Sequence, residues 1–357
     1  MDGKNDSLPK KSFLSMQIDL SKFRRLTPEE KRRSEHEARR STYFGNALRR
    51  FAHNPLGIAA LAILVLIILL ILTAPLFCPY SYDEIITVNG VRDITAQNLS
   101  PFKYSVREQE AINAGEKIFP HIFGTDELCR DYFARVIAGS RISLLVGVFA
   151  SIMVIVIGFI YGAISGFIGG KTDMIMMRVV DVIYSLPDML IVILLSMVLS
   201  SVFPKNSGGI VGKLGANMLS LFIVFALLYW VGIARLIRGQ ILSIRQQDYI
   251  SAARMIGTPV RRTIFKHILP NCVSIIFISA AMQIPAAIFT ESYLSFVGLG
   301  VQAPMPSLGA LANTARSSMQ LYPHKLILPA LMIGLIVLSF SLLGDALRDA
   351  FDPKQKQ

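Results

Sequence analysis

The chain has 357 residues, of which 53% are hydrophobic and 17% charged, with a mean hydropathy of +0.52. Soluble domains carry about 25% charged residues, so a purely soluble fold is excluded and lipid must be part of the solvent. The net charge of +12 suits either a nucleic-acid stripe or a topology signal, and its distribution along the chain selects the second.

Residues 1–55 hold 13 Lys or Arg against 7 Asp or Glu, which predicts a cytoplasmic tail. Within it, Thr27-Pro28-Glu29-Glu30 places a Thr N-cap before a helix-starting proline and a Glu that closes a capping box, predicting a charged helix to about Arg40. Phe44, Leu48 and Phe51 recur at helical spacing beside Arg49 and Arg50, the pattern of a short helix in the membrane interface over residues 43–54. Leu56 to Phe77 is uncharged and long enough to span; behind so charged a tail it reads as a signal anchor rather than a cleaved signal peptide.

Residues 78–141 form the predicted extracytoplasmic loop, and Pro79 to Ser140 reverses the charge balance with 6 basic and 9 acidic residues. Cys78 and Cys129 both fall there. A bridge between them is worth roughly 4 kcal/mol in the chain-entropy picture, but two isolated cysteines are more often unpaired, and that is the expectation. Gly124, Thr125, Asp126, Arg130 and Asp131 either order an entrance on the outer face or form a capped turn, with Arg130 paired to a carboxylate.

Residues 142–343 read as a membrane core of five further spans, roughly 142–162, 184–203, 218–237, 273–289 and 326–343. Arg178 and Asp181 are three apart and can pair on a helix, either as part of a translocation path or as a structural pair. Pro187 is expected to kink the third span. Gly208 to Leu214 approximates a phosphate-binding loop but is one residue short, and Leu214 replaces the hydroxyl that magnesium needs. Glu291 and Asp345 lie at span ends. Gly298 and Gly300 mark either a broken helix lining the path or an ordinary outer turn. Residues 344–357, with three basic and three acidic residues, form a C-terminal tail that an even number of spans returns to the cytoplasm.

The segment 235–271 holds 7 Lys or Arg and one acid, Asp248, so it is read as a cytoplasmic loop. Asp248 can start a helix, Gly257 can end it in the left-handed conformation, and Thr258-Pro259 can start a second helix that Pro270 ends. Tyr249, Ala252, Ala253 and Ile256 then share one face, small in the middle and larger at the ends. Such a knob suits either a partner's groove or packing on the chain's own inner surface.

Ala252-Ala253, Gly257 and Leu269-Pro270 resemble the EAA motif of permease subunits of bacterial ABC importers, with Ser251 where Glu is usual and His267 where Ile is. Gly124 to Asp131 is similar to an outer signature of the dipeptide, oligopeptide and nickel branch, Cys129 replacing a Gly. Leu294 to Gln302, Pro306 to Gly309 (Leu308 replacing a frequent Trp) and Gly344 to Ala350 resemble three further segments of its C-type subunit. The similarity runs from about Leu48 to Pro353. It implies an all-α polytopic fold with six spans, cytoplasmic termini and a coupling-helix hairpin, in which Tyr249, Ala252, Ala253, Ile256, Gly257, Arg261 and Pro270 dock on a cytosolic ATPase. It also implies a homologous second permease subunit, two ATPase subunits that use ATP and magnesium, an extracytoplasmic peptide-binding protein, and residence in the bacterial inner membrane.

No cofactor or metal is expected on this chain, and no enzymatic role: the five histidines lie outside the predicted spans, and no catalytic constellation appears within them. Peptides are the favoured cargo, with nickel or another small solute as the alternative. A secondary transporter working without ATP is disfavoured by the lack of paired intramembrane acids or an inverted repeat. Nucleic acid is not an expected partner, because the tail and the 235–271 loop contribute +6 each and together account for the +12.

Overall fold

A computed structural model describes residues 43–202, 216–301 and 305–351. The expected helix before Arg40, the approximate phosphate loop at Gly208 to Leu214 and the end of the chain lie outside the described residues. The fold is built of helices: α1 (Tyr43–Phe51), α2 (Pro55–Phe77), α3 (Val106–Asn113), α4 (Tyr132–Ile168), α5 (Gly170–Tyr184), α6 (Asp188–Val202), α7 (Ala216–Val224), α8 (Trp230–Arg245), α9 (Asp248–Met255), α10 (Val260–Thr263), α11 (Leu269–Val297), α12 (Leu308–Ala315) and α13 (His324–Phe351). Among the described residues, one short two-stranded ribbon, β1 (Thr87–Val88) and β2 (Val91–Arg92), accompanies the helices of this all-α fold.

Among the described residues, five helical stretches are long and apolar enough to cross a membrane: Pro55–Phe77, Tyr132–Ile168, Asn217–Arg245, Pro270–Val297 and His324–Phe351. The third expected span is not one kinked helix. Gly170–Tyr184 and Met189–Leu199 are bent from each other by 87°, because Pro187 has no N–H to continue the ladder and pushes the preceding residue out of helical geometry.

Helix direction resolves whether this broken pair crosses. On α4, Gly158 lies against Ile233, Gly162 against Ala234 and Gly166 against Arg238 and Ile241 of α8, so the two helices run parallel. A Cβ on Gly162 would lie 2.4 Å from the Ala234 carbonyl oxygen; this spacing of small residues lets the two backbones touch. Between two parallel crossings the chain must return, and residues 169–216 contain α5 and α6. The broken pair therefore belongs to the sixth crossing.

The same contacts separate two faces. The α8 end meets the α4 C-terminus, where Arg245 Nη1 donates to the carbonyls of Gly166 and Phe167 at 3.0 and 2.9 Å. The α4 N-terminus instead meets the start of α13, where Tyr132 Oη donates to the Lys325 carbonyl at 2.5 Å. At about 1.5 Å per residue, a helix as long as α4 spans on the order of 55 Å. The α8–α11 connection and the 78–131 segment thus occupy opposite ends of the molecule. Gly57 of α2 packs against Ala346 of α13, placing the start of one and the end of the other together.

The main core is made by Val146, Ala150 and Val154 of α4 with Trp230, Ala234, Ile237 and Ile241 of α8. A second cluster joins Ile67 and Ile71 of α2 to Tyr132, Val136, Ile288, Leu311 and Ile336. Outward-facing Leu and Ile along α2, including Leu66 and Leu72 at 65% and 63% exposure, suit a lipid-facing helix.

Candidate functional site: the helical hairpin and the folded cap

The hairpin forms at the expected place. Asp248 opens α9, the Ile256 N–H bonds the Ala252 carbonyl and the Thr258 N–H bonds the Ala253 carbonyl. Gly257 takes φ +72°, the left-handed turn that a side chain disfavours. Pro259 precedes α10, which contains Arg261.

Two details differ from expectation. Ala253 is buried rather than presented with Tyr249, Ala252 and Ile256, and the neighbouring Ile250 is fully buried in the main core with Ile241, Ile244, Ile268 and Cys272. The exposed apolar tip is Met255 and Ile256, at 87% and 82% exposure. Tyr249 accepts from Asn271 Nδ2 at 3.0 Å, tying α9 to the start of α11. Pro270 does not end the second helix either: α10 continues through a π-helical turn at Ile264–Ile268 into α11. The wider turn accommodates a proline that lacks an N–H and crowds the carbonyl four residues back.

Of the membrane charges, Asp181 does not pair with Arg178. Its partner is Arg235 of α8, at 2.6 Å, and the Arg235 guanidinium also lies 4.2 Å over the Tyr184 ring. Arg178 is exposed. Spacing along one helix made the first pair available, but the neighbouring α8 offers an arginine that both pairs with Asp181 and stacks on Tyr184 of the same α5. Pro187 borders a cavity of about 450 Å3 that Tyr184, Ile191, Leu228 and Tyr229 also line. The break between α5 and α6 therefore faces a second irregularity, the π-helical turn Phe225–Tyr229 that joins α7 to α8.

Glu291 is fully buried and accepts from Ser143 and Ser295 at 2.8 Å and from Ser292 at 3.3 Å. A carboxyl at this depth is tolerable when its lone pairs are filled by hydroxyls. Gly298 ends α11 with φ +92°, Gly300 packs on Ser295, and Gly309 crosses so closely that a Cβ would meet the Ser292 carbonyl. The chain thus turns back and α12 packs against α11 and α4. Residues 302–304 lie outside the described residues.

Residues 78–131 form a folded cap. Asn89 and Gly90 have φ +54° and +74°, the geometry of a tight hairpin turn. Ser105 and Glu108 form a capping box on α3. Both signals, Asn89-Gly90 and the Ser105–Glu108 spacing, stand in the sequence.

The Gly124 to Asp131 signature forms a capped turn. Gly124 has φ +75° and crosses the Leu99 carbonyl; Thr125 Oγ1 accepts from the Leu99 N–H at 2.8 Å and donates to the Ala96 carbonyl. Asp126 receives the Arg130 backbone N–H, the Arg130 guanidinium at 2.7 Å and Arg135. Asp131 caps α4 by accepting from the Ala134 N–H.

The residue that sequence reading missed is His121, fully buried between Glu108 and Asp131 at 2.9 and 2.8 Å. Burial alone lowers its pKa, but hydrogen bonds and charge from Asp131 and Glu108 outweigh this and raise it from 6.5 to about 9. Both ring nitrogens then donate, tying α3 to the first turn of α4. Cys78 and Cys129 are free: Cys78 packs with Ala74, Phe133 and Ile137, and Cys129 with Ile86 and Ala96.

The described helices long and apolar enough to cross a membrane carry an apolar-tipped hairpin at one end and a folded cap at the other. Comparison with known proteins identifies the family. Residues 155–357 match the family described as binding-protein-dependent transport system inner membrane component, and residues 42–102 match the N-terminal TM domain of oligopeptide transport permease C. The chain belongs to the first of these families, as a multi-pass, non-catalytic permease subunit of an ABC importer, in which separate subunits hydrolyse ATP. It is 38% identical to the oligopeptide transport system permease protein OppC of Bacillus subtilis (87% of this chain, 90% of the relative). It is 39% identical to the OppC of Haemophilus influenzae (87% and 88%) and 38% identical to the dipeptide transport system permease protein DppC of B. subtilis (92% of each).

Proposed function

We propose that this chain forms half of a peptide-translocation path in a bacterial inner membrane and receives its driving force through the α9–α10 hairpin. The observation that carries the coupling role is the Met255–Ile256 tip: two large apolar side chains at 87% and 82% exposure on a loop whose charge keeps it out of lipid. Ile250 roots the same helix in the core, so a force on the tip is passed to α8 and α11. Tyr249, Ala252, Gly257 and Arg261 complete the docking element, with Ala253 and Pro270 shaping it from within.

The partners are a homologous permease subunit completing the path, two cytosolic ATPases using ATP and magnesium, and an extracytoplasmic peptide-binding protein. The charge asymmetry supports an orientation with the 1–55 tail, the hairpin and the 344–357 tail inside and residues 78–141 outside. Pro187, the cavity beside it and the Gly298 to Gly300 turn are the path-side features in the 142–343 core; Arg178, Asp181 and Glu291 support them. The cap built on Gly124, Thr125, Asp126, Arg130 and Asp131 faces the binding protein.

Peptide cargo rests on the relatives' oligopeptide and dipeptide assignments. Uptake of labelled di- to pentapeptides by liposomes holding the whole complex tests it. ATP-dependent accumulation of peptide is the expected result, and accumulation of nickel with no peptide uptake contradicts the cargo assignment.

A further inference from the structure

The hairpin begins two residues after α8 ends, so its direction depends on how the end of α8 is held. Three arginines of α8 hold it. Arg238 donates from Nε and Nη2 to the two carboxylate oxygens of Asp173, each at 2.5 Å, and Ser165 Oγ donates to the same carboxylate. Arg245 Nη1 covers the Gly166 and Phe167 carbonyls, which α4 leaves unsatisfied at its last turn. Arg235 takes Asp181 and stacks on Tyr184. At 100° per residue the three lie within a sector of roughly 80° on α8, and their partners run from the end of α4 along the length of α5.

Asp173 is 13% exposed and Arg238 33%, so the pair is partly withdrawn from water. Its two-pronged geometry fixes rotation as well as distance, which a single ammonium does not. At its far end α5 reaches the 87° break before α6 and the cavity beside Pro187. We propose that Asp173, Arg238 and Arg245 are positioning residues that gear the coupling hairpin to α5, so that hairpin movement turns the α5–α6 break. This rests on the reading of the hairpin as the ATPase dock.

The test uses the full importer in liposomes, with ATP hydrolysis and solute uptake measured on the same preparation. In Asp173→Asn and Arg238→Gln the ATPases remain bound and hydrolyse ATP, while uptake per ATP falls about tenfold. Arg238→Lys restores only part, and the exchange Asp173→Arg with Arg238→Asp recovers more than either reversal alone. Unchanged uptake per ATP in the single variants overturns the gearing while leaving the dock intact; loss of the dock is read separately, from ATPase retention in Met255→Asp with Ile256→Asp.

Spin labels at Thr172 and Gln246, both exposed, give a readout independent of transport. In the complex with unaltered Asp173 their distance distribution is narrow and stays so when ATP is added; Arg245→Met broadens it. A distribution equally narrow in Arg245→Met contradicts the proposal.

Discussion

Met255 and Ile256 gain nothing from the fold by being exposed, and replacing either by Asp removes no internal contact. Each variant is therefore expected to insert normally and to lose ATPase co-purification, which a pull-down from detergent extracts measures. His121 behaves in the opposite way. Its pKa is about 9 in the fold against 6.5 for a free imidazole, so its contribution to stability is complete below about pH 6.5 and is lost as pH rises through about 9. Loss of that contribution loosens the cap, so the reactivity of the buried Cys129 thiol, at 1% exposure, relative to a free cysteine under the same conditions is expected to rise above pH 9; a constant ratio from pH 7 to 10 contradicts this. The local pairing of Arg130 with a carboxylate was legible in the sequence and is met by Asp126; the longer-range partner choices were not. Asp181 had Arg178 at helical spacing but bonds Arg235, 54 positions away, and His121 lies 13 and 10 residues from its carboxylates, beyond any local pattern.

At the scale of elements, the apolar spans were legible because about 20 uncharged residues admit few other structures. Their ends were not: α4 begins at Tyr132 rather than near Ile142, since Arg135 and Arg141 interrupt the apolar run without interrupting the helix. Gly257 was legible as a turn, and Gly257→Pro is expected to abolish transport while the chain still inserts. The close α4–α8 contact was not anticipated, although glycines at 158, 162 and 166 are spaced at one helical turn. Gly162→Leu places side-chain atoms where the Ala234 backbone lies and is expected to cost about 3 kcal/mol or more, seen as lower thermal stability of the purified chain. Stability equal to the parent shows that the two helices are not in the stated contact.

Across the whole molecule, α4 runs from the cap end to the hairpin end, and the parallel α8 lies along its second half. Six crossings follow from that parallel pair and the need to return between them, even though one crossing is broken at Pro187. The composition made a polytopic membrane protein legible, and the resemblance at the hairpin made the class legible; the folded cap over residues 78–131 was not, because a short ribbon and an eight-residue helix leave no strong periodic signal. The proposed coupling moves the importer from its hairpin end, so the decisive comparison sets the complete complex against one carrying both Met255→Asp and Ile256→Asp, with ATPase occupancy and peptide uptake measured together in liposomes. Loss of ATPase and of uptake from a permease that is still inserted is the predicted result; full occupancy with full uptake would contradict coupling through the hairpin.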